Sequence, residues 1–144
     1  STMAEKDSIV LTFDVDSDDF TRAGEASSRL KRTLKQMGLP PDIIRRISIV
    51  MYEGEINMVI HAHGGKITVT VDDDAVTMVL SDVGPGIPDV EKAMQAGLST
   101  ASEAVRQQGF GAGMGLPNMK KNADTLEIDT VVGVGTTVTA VVRL

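Results

Sequence analysis

At 144 residues and 42% hydrophobic content, the chain has the length and the apolar material of one domain with a sizeable core. Its formal net charge of −6 argues against nucleic acid or an anionic membrane as the main partner, since both reward basic patches. There is no cysteine, so disulfides and thiolate chemistry are excluded; no run is apolar enough to span a membrane, and the opening residues lack the apolar stretch of a signal peptide. Together these predict a cytoplasmic protein. In chain order, Ile9–Phe13 reads as a strand, and Asp16-Ser17-Asp18-Asp19 as a helix start with cap residues and early acids. That helix runs to about Gln36 with Phe20, Ala23, Ala26, Leu30 and Leu34 as its apolar stripe, and Gly38-Leu39-Pro40-Pro41 stops it. A second helix is predicted from Asp42 to His61. Lys66–Asp72 and Val76–Asp82 are β-rich and joined by an acidic turn, an antiparallel hairpin. Pro88–Ala96 opens as a short helix, residues 98–113 show no sustained period, and Met114–Asn122 resumes a helix. Leu126–Val132 and Thr136–Leu144 form a second hairpin. The pattern predicts a two-layer α/β (α+β) sandwich, a mostly antiparallel sheet with helices on one face.

Four small elements stand in order on this frame. The first is on the second helix, where Glu53, Asn57 and His61 are spaced by four and share one stripe. A carboxylate, an amide and an imidazole in line can hold a cation and a water, and oxygen ligands, carboxylate or carboxamide, suit Mg²⁺. Glu55 points in another direction and reads as ordinary surface. The second element is Asp82-Val83-Gly84-Pro85-Gly86. Asp82 shares the face of Val76, Met78 and Leu80, so it points inward at the strand's end, where a buried carboxylate needs a donor such as an exocyclic amine. The third is Gly109 to Leu116, in which Gly111, Gly113 and Gly115 alternate just before a helix, so backbone N–H groups there can meet phosphate oxygens. The fourth is Gly133-Val134-Gly135-Thr136. By parity Thr136 shares the face of Val138, Ala140 and Val142 and offers a hydroxyl inward, while Thr137 faces the other way. The unpatterned segment with Ser99, Thr100 and Arg106, about 97–113, reads as a lid. Neither the G-x-x-x-x-G-K-[ST] phosphate loop nor the G-x-G-x-x-G dinucleotide pattern is present.

This set resembles the GHKL superfamily of Bergerat-fold ATP-binding domains. Glu53-x-x-x-Asn57 looks like the N box, Asp82-x-Gly84-x-Gly86 like the first glycine box, Gly111-x-Gly113-x-Gly115-Leu116 like the second, and Gly133-x-Gly135-Thr136 like the last. The resemblance covers about residues 40–144. It implies ATP with Mg²⁺, with Asn57 as metal ligand, Asp82 reading adenine, and the glycines shaping the base and phosphate sites. Within the superfamily the chain is most similar to the anti-sigma-factor serine kinases, a branch suggested by its small size, by Gly84-Pro85-Gly86-Ile87-Pro88-Asp89 followed by Gly97-Leu98-Ser99-Thr100, and by Glu53 at the head of the N box. Ala101–Gln108 makes the lid longer than that branch implies. The branch implies transfer of phosphate to a STAS-type antagonist protein, Glu53 as the catalytic base, and a sigma factor or phosphatase as a further partner; a homodimer stays open. Two other readings remain at this point, the catalytic domain of a split histidine kinase and a nucleotide-gated binding module without transfer.

Overall fold

The computed structural model describes residues 8–17, 20–95 and 115–144. Five strands, β1 (Ile9–Val15), β2 (Gly65–Val71), β3 (Ala75–Asp82), β4 (Thr125–Val131) and β5 (Gly135–Arg143), form one antiparallel sheet in the order β1-β2-β3-β5-β4. The helices are α1 (Glu25–Gln36), α2 (Pro41–His61), α3 (Val90–Ala93) and α4 (Gly115–Asn122). The expected two-layer sandwich is what the chain adopts. Strand alternation explains it. Ile67, Val69 and Val71 of β2, Val76, Met78 and Leu80 of β3, and Ala140 and Val142 of β5 are buried on one face, against Leu30 and Leu34 of α1, Ile47, Val50 and Met51 of α2, and Leu116 and Met119 of α4. Thr68, Thr70, Thr77, Thr137 and Thr139 alternate onto the opposite face. The acidic turn between β2 and β3 closes through Asp72, whose Oδ1 accepts the N–H groups of Asp74 and Ala75.

The helix expected to begin at Asp16–Asp19 begins instead at Glu25. A 3₁₀ turn, Phe20–Arg22, precedes it, and Gly24 at φ 92° separates the two. The 3₁₀ turn carries Phe20 and Ala23 to the edge of the core at nearly helical spacing, which is why the apolar stripe reads through the break. The N-cap position of α1 is Gly24, which has no side chain to cap it, and that need is met from α2, as described below.

The layers meet closely at Gly54 on α2. A methyl group there would overlap Leu80 Cδ2 and come within 3.2 Å of Met119 Cε. Gly54 therefore brings α2 down onto β3 and α4 at the level of the first sequence element. Gly54→Ala is expected to lower stability by about 1–3 kcal/mol through overpacking, read as a drop in the urea midpoint at unchanged slope.

Candidate functional site

Asp82 ends β3, and its neighbour across the ladder is the start of β5. Asp82 Oδ1 accepts the backbone N–H of Thr136 at 3.0 Å, and Oδ2 takes no hydrogen bond from the described residues. Partial burial pushes the Asp82 carboxyl above the usual carboxylate range, and the Thr136 N–H pulls the other way. Thr136 is 7% exposed, on the inward face with Ala140 and Val142. Its hydroxyl lies 2.9 Å from Thr130 Oγ1, and either can donate. Thr130 Oγ1 also accepts the N–H of Ile87 at 2.8 Å, so it ties the Gly84–Ile87 loop to β4. Thr137 turns to the opposite face and meets Ser81 Oγ at 3.1 Å.

The loop after Asp82 is held by its backbone. Gly84 N–H donates to Val134 C=O, and Gly133 N–H donates to Pro85 C=O. Gly84 is buried, and a Cβ there would come to 3.0 Å from Ala62 Cα and 3.5 Å from Asp82 Oδ1. Gly86 has φ 76°, and a side chain there would meet Val131 C=O at 2.7 Å, so only glycine fits. Asp82, Gly84, Gly86 and Thr136 thus come together at one end of the sheet.

The second half of the site lies between α2 and α4. Gly115 opens α4 against Asn57. A Cβ at 115 would lie 2.8 Å from Asn57 Nδ2 and 2.9 Å from Oδ1, so the missing side chain is what leaves room for that carboxamide. One turn back along α2, Glu53 Oε2 accepts a hydrogen bond from Asn118 Nδ2 at 3.0 Å. Glu53 also borders an open depression of about 580 Å³ between α1 and α2, lined by Lys31, Lys35, Arg45 and Tyr52 among others. A second depression of about 480 Å³ continues from it along Thr21–Glu25. Neither is lined by Asp82, Gly84 or Thr136. Ser48 Oγ lies on the walls of both and is the one buried side-chain polar atom without a hydrogen bond among the described residues. His61, at the end of the Glu53–Asn57 stripe, is held below its ordinary pKa by burial, which favours a neutral imidazole near pH 7.

Glu55 is not surface. It is 3% exposed and accepts four hydrogen bonds, from the N–H groups of Gly24 and Ala26 at Oε2 and from the N–H and hydroxyl of Ser27 at Oε1. Its direction on α2 does differ from that of Glu53, but α1 covers that direction. The carboxylate serves as the N-terminal cap of α1, delivered from a distant helix. Gly111, Gly113, Ser99, Thr100, Arg106 and the stretch read as a lid lie outside the described residues.

A single carboxamide oxygen is a meagre metal site by itself. Among the described residues no three His, Cys, Asp or Glu side chains gather into a cage. The donor chemistry at Asn57 fits Mg²⁺, which keeps several waters and takes its remaining ligands from phosphates. Sequence reasoning missed Thr130 and Asn118. Parity does place Thr130 on the inward face with Leu126 and Ile128, but pairing it with Thr136 needs the β4–β5 register. Nothing in the sequence marks Asn118.

The model for the histidine kinase-like ATPase domain matches residues 17–142. The chain belongs to this family. Among its curated relatives, the serine/threonine-protein kinase RsbT of Bacillus subtilis (strain 168) is 31% identical over 121 residues, covering 81% of this chain and 85% of that protein. The anti-sigma F factor of Caldanaerobacter subterraneus subsp. tengcongensis is 37% identical over 100 residues, 66% of each chain. That of Bacillus licheniformis is 32% identical over 111 residues, 73% of each. These comparisons bear out the superfamily and its anti-sigma serine kinase branch, and with them a protein kinase that uses ATP. In this histidine kinase-like ATPase domain no helix among the described residues is long and apolar enough to cross a membrane.

Proposed function

We propose that this histidine kinase-like ATPase domain transfers the γ-phosphoryl group of ATP to a serine hydroxyl of a STAS-type regulatory protein, and so governs a sigma factor or a phosphatase. The observation that carries the reading is the position of Glu53. Its carboxylate sits one helical turn from Asn57, is held from α4 by Asn118, and borders an open depression from which a protein hydroxyl can approach. A domain that only bound nucleotide would not need a carboxylate there.

Each residue then has a task. Asp82 Oδ2 would accept the exocyclic amine of adenine, Thr136 and Thr130 would present hydroxyls beside it, and Gly84 and Gly86 would let the backbone approach the base. Asn57 would contribute a carboxamide oxygen to Mg²⁺; the ion supplies charge neutralisation across the phosphates when bound. Gly111, Gly113 and Gly115 would contribute N–H groups to phosphate oxygens. Glu53 accepts the proton of the serine hydroxyl as its oxygen bonds to the γ-phosphorus and the bond to ADP breaks. Positioning and charge stabilisation carry the rest.

Glu53→Gln tests this directly. The variant is expected to keep ADP affinity within about threefold by calorimetry. With ATP, Mg²⁺ and the STAS-domain proteins of the source genome, it should lose the one-phosphate mass gain on serine that the unaltered protein produces, by roughly 10²-fold or more in rate. Transfer by Glu53→Gln at the unaltered rate removes the base; absence of transfer by the unaltered protein to any of them leaves a nucleotide-gated binding module.

A further inference from the structure

The contacts between α2 and α4 form a ladder. Gly115 meets Asn57, Asn118 meets Glu53, and Arg46 donates from Nε to the Asn122 carbonyl at 3.0 Å while its Nη2 pairs with Asp124 at 3.2 Å. As numbers rise on α4 they fall on α2, so the two helices run antiparallel, and each step matches about one or two turns at ~1.5 Å per residue. The lower end is fixed by the Arg46 contacts, and Leu116 and Met119 anchor α4 in the core. Asn118 lies between these anchors in sequence. It is half-buried, and its own backbone carbonyl is occupied by Asn122 Nδ2 at 2.9 Å.

We infer that Asn118 is a positioning residue for the phosphoryl transfer, orienting the Glu53 carboxylate by donating to Oε2; this rests on the reading of Glu53 as the base. A glutamate on a helix has three rotatable bonds and, facing an open depression, no wall to hold it. One charge-assisted hydrogen bond from a residue locked in a short helix restricts those rotamers. It also leaves Oε1 without a hydrogen bond from the described residues, so one oxygen is held and the other can receive a proton. The same helix begins at Gly115 against Asn57, so one rigid element registers both the metal-side amide and the base. An apolar side chain at 118 would keep the packing and lose that alignment, and misplacement of about 1 Å is enough to cost roughly 10²-fold in rate.

The test uses the whole chain, the STAS-domain protein that accepts phosphate in the assay above, and steady-state kinetics. Asn118→Leu and Asn118→Ala, neither of which can donate, are each expected to lower kcat at least tenfold. KM for ATP and the Kd for ADP should stay within twofold. In the Glu53→Gln background, Asn118→Leu should cause no further loss, because the group it aligns is already disabled. A merely structural role would move Tm and nucleotide affinity together with kcat, and would subtract equally in both backgrounds. A kcat within twofold of the unaltered value in Asn118→Leu, or an equal loss in the Glu53→Gln background, overturns the inference. Failure of the two readings is separable: transfer at the unaltered rate by Glu53→Gln takes down the base and Asn118 with it, whereas lost transfer in Glu53→Gln beside normal kcat in Asn118→Leu takes down Asn118 alone.

Discussion

Glu55→Ala is expected to cost about 3–5 kcal/mol of unfolding free energy, the size associated with stripping a buried charged acceptor from several donors. The substitution leaves the N–H groups of Gly24, Ala26 and Ser27 and the Ser27 hydroxyl without their acceptor, at a helix start that no local side chain caps. Gly24 holds φ 92° and packs under Tyr52, with room for a Cβ only to 3.3 Å of its ring, so the segment has little freedom to find another acceptor. Glu55→Gln keeps the volume but turns one acceptor oxygen into a donor facing donors, and should cost about half as much. Urea unfolding followed by circular dichroism reads both. A loss under about 1 kcal/mol in Glu55→Ala would mean that water caps α1 as well as the carboxylate does.

Asp82→Asn is expected to weaken ADP binding by roughly 1–3 kcal/mol, about fivefold to 150-fold, while raising the Tm of the nucleotide-free protein. The two effects have separate causes. Burial holds the Asp82 carboxyl above its ordinary pKa in the folded state. An acid whose folded pKa is raised binds its proton more tightly when folded. Its contribution to stability is therefore greatest at low pH and declines as pH rises from the unfolded to the folded pKa, leaving a buried charge as a cost at neutral pH. Asparagine keeps an acceptor for Thr136 N–H and removes that cost, but it presents an amine to an amine. Calorimetry with ADP and thermal unfolding across pH check both halves: the gain in Tm should be greatest above the folded pKa of Asp82 and shrink as pH falls into the ordinary carboxylate range. Undiminished ADP affinity would sink the adenine assignment, and an unchanged Tm would mean that solvent or a neighbour already compensates the charge.

Much of this site could be read before any coordinate. Period-two alternation put Asp82 and Thr136 on the inward face, and both lie there because Val76, Met78, Leu80, Ala140 and Val142 leave no other choice of face. The four-residue spacing put Glu53 and Asn57 in one stripe, and α4 lies along that stripe. What failed was knowledge of which helix covers which direction. Glu53 and Glu55 are both carboxylates on one helix, two residues apart. One faces α4 and an open depression while the other is driven into the start of α1, and only tertiary packing separates them. The start of α1 differs for the same reason: its cap is 28 to 31 residues away in sequence. Asn118 and Thr130 act through partners 65 and 6 residues away, the first across helices and the second across a hairpin register. A single sequence carries no signal for either pairing.

Strand β5 is the last of these five in chain order and yet lies between β3 and β4. The bond that closes the end of the site, from Thr136 to Asp82, joins residues 54 apart. Closing a loop of that length is slow compared with forming the local β2–β3 hairpin, so the pocket is among the last features to assemble when the chain folds. Nucleotide can reward only the finished state. It should therefore lengthen the lifetime of the folded domain without hastening its formation, and the protein's resistance to proteolysis would track the ATP and ADP around it.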